Sequence, residues 1–247
     1  MVEISGEPTP GPRRVAFFGG SFDPPHLGHL AIARAAHSAL ALDTVLFAPV
    51  GAQPLKPLGA TAPFEHRLAM TRLAISDESG FAVSTIDAPT ASGEPNYTLE
   101  TLLALRAKLP PESALFCLMG ADSFALLKRW HRAAEIPFAA PLIVASRPGK
   151  RLEDLKPFLP EGVEIASPLE TGPAPGELAL RRVILRNSED ELAPLYVISG
   201  LQIEISASAL RSRFRSHGAA QGNDAAAGPE LLPVAVTNYI RANDLYR

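Results

Sequence analysis

Eleven residues near the start of the chain, Gly19-Gly20-Ser21-Phe22-Asp23-Pro24-Pro25-His26-Leu27-Gly28-His29, constrain it more tightly than any other segment. An apolar run, Val15-Ala16-Phe17-Phe18, leads in, and the helix-like stretch Leu30-Ala31-Ile32-Ala33-Arg34-Ala35-Ala36 leads out. A strand, a glycine turn and a helix start together build an anion site from backbone N–H groups and the positive end of the helix dipole. Gly19 and Gly20 are expected to let the backbone approach a phosphate with no Cβ in the way. Pro24 and Pro25 stiffen the turn that follows. His26 and His29 stand three apart, so a helix beginning near Pro25 places both on one face beside the same site. Two imidazoles aimed at a phosphate point to chemistry on that phosphate. A paired His can also be structural or bind a metal, but no Cys, Asp or Glu at zinc-ligand spacing accompanies this one, and no dedicated metal site is expected.

The chain has 247 residues and a formal net charge of −3. That length suits one large α/β domain with insertions, and the charge excludes a strongly basic surface for nucleic acid, so any polyphosphate site must be local. Cys117, the one cysteine, lies in the apolar run Ala114-Leu115-Phe116-Cys117-Leu118-Met119 and reads as a buried core thiol. Residues 1–13 read as a flexible lead with no apolar signal core, and no stretch approaches a membrane span. A cytoplasmic location, no membrane partner and no nucleic-acid partner are the expectations, with a homo-oligomer left open.

Strands are predicted near Val15–Phe18, Thr44–Ala48, Phe81–Ile86, Ala114–Met119, Pro141–Ala145 and Leu195–Ile198. Helices are predicted near Leu27–Leu40, Phe64–Ile75, Thr98–Leu109, Ser123–Arg129, Ser206–Ser216 and Leu232–Ala242. This alternation predicts an α/β fold: a doubly wound, Rossmann-like parallel sheet with helices on both faces and a ligand crevice at the carboxyl ends of the strands. Residues 14–247 are read as a single domain. Within it, 151–194 reads as a surface excursion with one short strand at Arg182–Leu185, and 216–230 as a mobile loop.

A second candidate segment is Ile205-Ser206-Ala207-Ser208-Ala209-Leu210-Arg211. Ser206 is placed to cap a helix whose early turns carry Arg211 and Arg215, cations that oppose the helix dipole unless an anion lies nearby. The first motif resembles the HxGH signature of the nucleotidylyltransferase superfamily, and this second one resembles its ISxSxxR motif. Further segments resemble the bacterial nicotinate-nucleotide adenylyltransferases of that superfamily. Gly120-Ala121-Asp122-Ser123-Phe124 with Trp130-His131 is similar to GADSFxxLxxWH. Asn96-Tyr97-Thr98-Leu99-Glu100-Thr101-Leu102 is similar to [SN]YTxDTL, with Glu100 in place of the common Asp. Pro49 with Pro54-Leu55-Lys56 resembles PxxxPPHK without its second Pro and its His, Arg147-Pro148-Gly149 matches an RPG turn, and Leu232 to Tyr246 matches the closing LxPxxVxxYIxxxxLY helix. The resemblance covers roughly 14–150 and 195–247.

It implies transfer of AMP from ATP to nicotinate mononucleotide, giving deamido-NAD and pyrophosphate, with Mg²⁺ travelling with the ATP. His26, His29 and Arg211 are then the catalytic candidates. Gly19, Gly20, Ser21, Phe22, Lys56, Gly120, Asp122, Arg147, Ile205, Ser206 and Ser208 are the ATP-binding ones. Asn96, Tyr97, Thr98 and Trp130 would take the mononucleotide. Taken singly these residues have plainer readings, Trp130 as core, Asp122 as a helix cap, and His37, His66 and His131 as structural or surface groups; their order along the chain favours the functional one. The alternatives are another adenylyl- or cytidylyltransferase of the superfamily, or a nucleotide-sensing module without turnover.

Overall fold

The predicted apolar runs do form strands buried on both faces, which is what a sheet covered by helices on either side requires. The structure is a computed structural model that describes residues 11, 13–55, 59–146, 154–172, 178–202, 205–218 and 231–247. Lys56 and Arg147 lie outside the described residues, as do residues 1–10 and 12 of the N-terminal lead and 219–230 of the proposed mobile loop. Strand β1 (Arg14–Gly20) leads to α1 (Leu27–Ala39), β2 (Thr44–Pro49), α2 (Phe64–Ala74), β3 (Phe81–Val83), α3 (Thr98–Arg106) and β4 (Ala114–Gly120). Two short helices, α4 (Ala121–Phe124) and α5 (Ile136–Ala139), precede β5 (Leu142–Ala145). Then come β6 (Glu164–Ile165), β7 (Glu170–Gly172), β8 (Ala179–Arg186), β9 (Leu192–Ser199), α6 (Ala207–Gly218) and α7 (Val234–Ala242).

Among the described residues the sheet runs in the order β3-β2-β1-β4-β5-β9-β8-β6, with β7 also on β8. Strands β3 to β5, with β9, are parallel. The chain leaves β1 for β2 on one side and returns to β4 on the other, so the crevice opens beyond the carboxyl ends of β1 and β4, at Gly19-Gly20 and Gly120. Alternate β1 residues feed two cores. Ala16 and Phe18 join Leu30 and Ile32 of α1, Met70 of α2, and Val236 and Ile240 of α7. Val15 and Phe17 join Leu99, Leu102 and Leu105 of α3 with Phe124 and Ile136.

The expected doubly wound parallel sheet is present and carries an antiparallel extension at one edge. The sheet is mixed, because β8 runs antiparallel to β9 and carries β6 and β7 antiparallel on its other edge. The described part of 151–194 therefore adds β6, β7, β8 and the start of β9 to the sheet, where one short strand had been predicted. Val183 and Leu185 are buried between exposed or half-buried neighbours, a one-sided strand pattern, and Asn187 Oδ1 closes the β8–β9 turn by accepting the Glu189 and Glu191 N–H groups at 3.0 and 2.9 Å. Strands of two or three residues such as β6 and β7 leave no periodic trace. At the other end, 216–218 continue α6 and do not open a loop.

Close backbone approach fixes the loops that follow β2 and β3 beside the crevice. Gly51 N–H donates to the Asp87 carbonyl at 2.7 Å, and a Cβ on Gly51 would stand 2.4 Å from the Pro89 nitrogen. Asn96 fastens the same loops, its Oδ1 accepting from Ala52 N–H at 3.0 Å and its Nδ2 donating to the Ala88 carbonyl at 3.1 Å. Gly51→Ala is therefore expected to cost about 1–3 kcal/mol, the range for forcing a methyl into a filled space, read as a lower urea midpoint at unchanged slope. A midpoint equal to that of the parent would show that this approach is not tight.

Candidate active site

A cavity of about 780 Å³ occupies the crevice and draws its walls from the predicted segments that are described, except the closing one at Leu232–Tyr246. Gly19, Gly20, Ser21, Phe22, His26 and His29 come from the first motif. Asn96, Tyr97, Thr98, Gly120, Asp122 and Trp130 come from the middle of the chain, and Ile205, Ser206, Ser208 and Arg211 from the start of α6.

The two glycines also make room within the protein. A Cβ on Gly19 would stand 2.7 Å from Phe17 Cζ, and one on Gly20 would stand 3.2 Å from Phe22 Cζ. The missing methyls make room for Phe17 on one face of the sheet and for an aromatic floor of Phe22 and Phe18 on the other. Phe22 belongs to that floor: it is 2% exposed and meets Phe18 edge-on at 5.5 Å. Ser21 Oγ donates to Gln53 Oε1 at 2.9 Å, tying the turn to the following loop.

The histidines also sit differently from a shared helical face. His26 is the residue before α1, in extended conformation, and His29 is in the first turn. Their rings stack at 3.7 Å with planes 20° apart. The His26 backbone N–H donates to His29 Nδ1 at 3.2 Å, so Nδ1 is an acceptor and the neutral ring carries its proton on Nε2. Phe22 meets the His29 ring edge-on at 5.0 Å and holds its plane. Gly28 gives His26 its space, since a Cβ there would stand 3.0 Å from His26 Nδ1 and 3.6 Å from Ile205 Cβ. The Leu27 N–H is already taken by the Leu231 carbonyl at 3.0 Å, which shifts more of any anion binding at this helix start onto the imidazoles.

Beneath the turn lies a charged group that the sequence reading did not single out. Asp23, 4% exposed, accepts from the Thr61 and Ala62 N–H groups at 2.6 and 3.1 Å and from Tyr246 Oη at 2.7 Å. Burial and the neighbouring Asp23 push the Tyr246 phenol well up, so it stays a donor. Arg211 donates to the Asp23 carbonyl at 2.6 Å and to Ser208 Oγ at 3.2 Å, and stands 3.7 Å from Asp23 Oδ2. The anion that offsets its position against the helix dipole is thus supplied within the chain. Arg67, 2% exposed, donates to the Ser21, Val50 and Ala62 carbonyls at 2.7, 2.8 and 3.1 Å. Burial lowers its pKa and Asp23 counters that shift. Arg213 lines the cavity where Arg215 had been singled out; Arg215 donates instead to Ser212 Oγ at 3.1 Å. The start of α6 points at the cavity, so successive residues reach it and a one-turn spacing is a poor guide.

On the far wall the Tyr97 and His131 rings lie 4.4 Å apart, and both line the cavity with Trp130. Glu100 faces outward, 3.7 Å from His131 Nε2 and 3.5 Å from Arg132. Three carboxylates line the cavity: Asp23, Asp87 and the exposed Asp122. Among the described residues no group of three or more His, Cys, Asp or Glu comes together in a way that could hold a metal ion, and no helix is long and apolar enough to cross a membrane.

Asp87 is 5% exposed, and burial raises its pKa from 3.8 to about 6 against the lowering effect of the Thr101 hydroxyl. The fold prefers the neutral acid, so stability falls as pH rises from about 4 to about 6 and levels off above that. The shift from 3.8 to about 6 corresponds to roughly 3 kcal/mol as an upper figure. Asp87→Asn is expected to unfold at higher urea than the parent at pH 8, with the gap closing by pH 4. A gap independent of pH would remove the buried ionisation as its cause.

A family model described as cytidylyltransferase-like matches residues 17–213, running through the segment 151–194 that the motif resemblance did not cover. A protein of Solibacter usitatus is 34% identical over 233 residues, covering 94% of this chain and 99% of the relative. One of Roseiflexus sp. is 37% identical over 238 residues, covering 94% and 98%. Both are named "Probable nicotinate-nucleotide adenylyltransferase". The fold is shared with Plasmodium falciparum nicotinic acid mononucleotide adenylyltransferase complexed with NaAD, at a TM-score of 0.66 and 16% identity over 95% of this chain and 97% of that one. With the stacked histidines, the α6 arginine and the crevice arranged as described, the chain belongs to the cytidylyltransferase-like family and, within it, to the nicotinate-nucleotide adenylyltransferases.

Proposed function

We propose that this protein transfers the adenylyl group of ATP to the phosphate of nicotinate mononucleotide, releasing pyrophosphate, with residues 14–247 acting as one domain in the cytoplasm. The observation that carries this reading is the convergence of His26, His29 and Arg211 on one cavity that also holds Tyr97, Thr98 and Trp130. The acceptor phosphate is an anion at neutral pH, so no general base is needed to make the nucleophile. Catalysis reduces to in-line placement and to stabilising charge on the α-phosphate as the new P–O bond forms and the bond to pyrophosphate breaks.

His29 holds its proton on Nε2 because Nδ1 is occupied by the His26 N–H, and that proton is the one offered to an α-phosphate oxygen. His26, stacked on it, supplies the second donor. Ser206, Ser208 and Arg211 hold the leaving pyrophosphate at the start of α6, with Arg213 adding positive charge. Gly19, Gly20, Ser21, Gly120, Asp122 and Ile205 shape the ATP side, and Lys56 and Arg147 are proposed to complete it. Asn96 contributes by fixing the loops, Phe22 by fixing His29. Because Asp23 and Asp87 are buried and bonded, the residues fit a Mg²⁺ ion carried in on the phosphates and water, where it neutralises triphosphate charge.

The test is to mix the protein with MgATP and a panel of phosphate acceptors and to follow pyrophosphate. Nicotinate mononucleotide is expected to exceed nicotinamide mononucleotide by at least about tenfold in kcat/KM, since only the acid gains from the positive start of α3. Equal turnover of the two would remove the specificity argument, and turnover only with an acceptor of another class would replace the reading. His29→Ala is expected to lower kcat by on the order of a hundredfold, the effect of losing one preorganised donor. Gly28→Ala is expected to reduce kcat with the fold intact, because the His26 ring can move away from the new methyl but then leaves its stack. Parent-like kcat in either variant would take the stacked pair out of the mechanism.

A further inference from the structure

The adenylyl-transfer chemistry leaves Asp87 without a task, although it stands in the cavity wall. Its Oδ2 lies 3.8 Å from the point a Gly19 Cβ would occupy, directly behind the glycine turn. Its Oδ1 accepts from Thr101 Oγ1, and its carbonyl accepts the Gly51 N–H at 2.7 Å. Thr101 is the fourth residue of α3, and its hydroxyl also stands 3.2 Å from the carbonyl of Tyr97, the residue that opens the helix. One hydroxyl carries one proton, and the shorter contact with Asp87 takes it. The Tyr97 carbonyl keeps its bond from the Thr101 N–H at 3.2 Å. Asp87 therefore holds the Gly51 loop through its carbonyl and the first turn of α3 through its carboxylate, while lying against the back of the glycine turn.

Among the described residues, the groups around it do not offset its charge with an ion. Thr101 faces it from α3 and Gly19 from β1. Cys117 is the titratable neighbour on β4, and burial with the nearby Asp87 pushes its thiol up to about 12, so it stays neutral. An amide of the same shape would sit there at lower cost to the fold. The first-turn N–H groups of α3 have no intrahelical partners and point out of the helix start that Tyr97 and Thr98 present to the cavity.

We propose that Asp87 is a positioning residue, which acts through Thr101 to set the start of α3 against the glycine turn at the separation the acidic ring of the acceptor requires. This rests on the nicotinate mononucleotide reading above. Steady-state kinetics with MgATP and nicotinate mononucleotide on Asp87→Asn, Thr101→Val and Thr101→Ser test it. Asp87→Asn and Thr101→Val are expected to raise KM for the mononucleotide by about tenfold while KM for ATP stays within about twofold, and Thr101→Ser, which keeps the hydroxyl, is expected to restore the parent value. Should Asp87→Asn fail to fold, the two Thr101 variants decide the same point. Parent turnover with unchanged mononucleotide KM in the variants, or with both KM values raised alike, would overturn this inference alone. Failure of the parent to release pyrophosphate with this acceptor would overturn the functional reading and the inference with it.

Discussion

The site depends on the burial of one carboxylate. Asp23 sits in the glycine-turn motif, yet its partners come from the loop before α2, from α6 and from the end of the chain. Taking such a charge out of water is costly unless its lone pairs are filled and a counter-charge is near. Two backbone N–H groups and one phenol fill them, and Arg211 and Arg67 supply the charge. Because those donors lie 38 to 223 residues away in sequence, satisfying Asp23 is the same event as bringing the histidine turn and the arginine helix to one cavity. An Asp23 left unpaired would leave two guanidiniums without their anion.

The local charge balance follows. The whole chain is at −3, but on the Asp23 side of the glycine turn two guanidiniums face that one carboxylate, with Asp87 behind the turn, and Arg213 stands on the same cavity wall. The guanidiniums make that side of the turn the positive one. Arg67 adds to that field without offering itself as a ligand: its donors go to the Ser21, Val50 and Ala62 carbonyls, so the guanidinium acts as a template for the loops flanking the cavity. Arg211 divides its donors between the Asp23 carbonyl and Ser208. A field held by internal bonds is already oriented before substrate arrives, the condition under which electrostatic stabilisation costs no rearrangement.

Much of this was legible in the sequence because order along the chain carries topology. Apolar runs alternating with helical patterns give the parallel core, and motifs placed after strands β1 and β4 must meet at the switch point. What escaped the reading is what no local pattern encodes. Glycine announces a missing side chain, but not that the Phe17 and Phe22 rings fill the space. Arg67, in Glu65-His66-Arg67-Leu68, reads as a solvated helix face, and Asp87, in Thr85-Ile86-Asp87-Ala88-Pro89, reads as a turn; their burial is decided by segments far away in sequence. Of the β8–β9 hairpin the middle of each strand was legible, Arg182–Leu185 and Leu195–Ile198, but not their full length or their antiparallel pairing, because the flanking Pro, Gly and acidic residues hide the strand ends.

The spacing of the histidine motif follows from a helix start. The residue just before a helix and the third residue inside it face each other, so side chains at those positions can bond across to backbone N–H groups. Here imidazoles occupy both places, and the bond from the His26 N–H to His29 Nδ1 does what a capping Glu does elsewhere, while also choosing the tautomer. The position between them must lack a side chain, because the His26 ring lies over Gly28 with Ile205 just beyond. The same contact brings Ile205, two residues ahead of α6, against the first turn of α1, so the glycine that permits the stack also sets how near the arginine helix can come. A spacing of three, with glycine before the second histidine, is therefore what joining a helix cap, a proton-bearing Nε2 and a second helix start at one point requires.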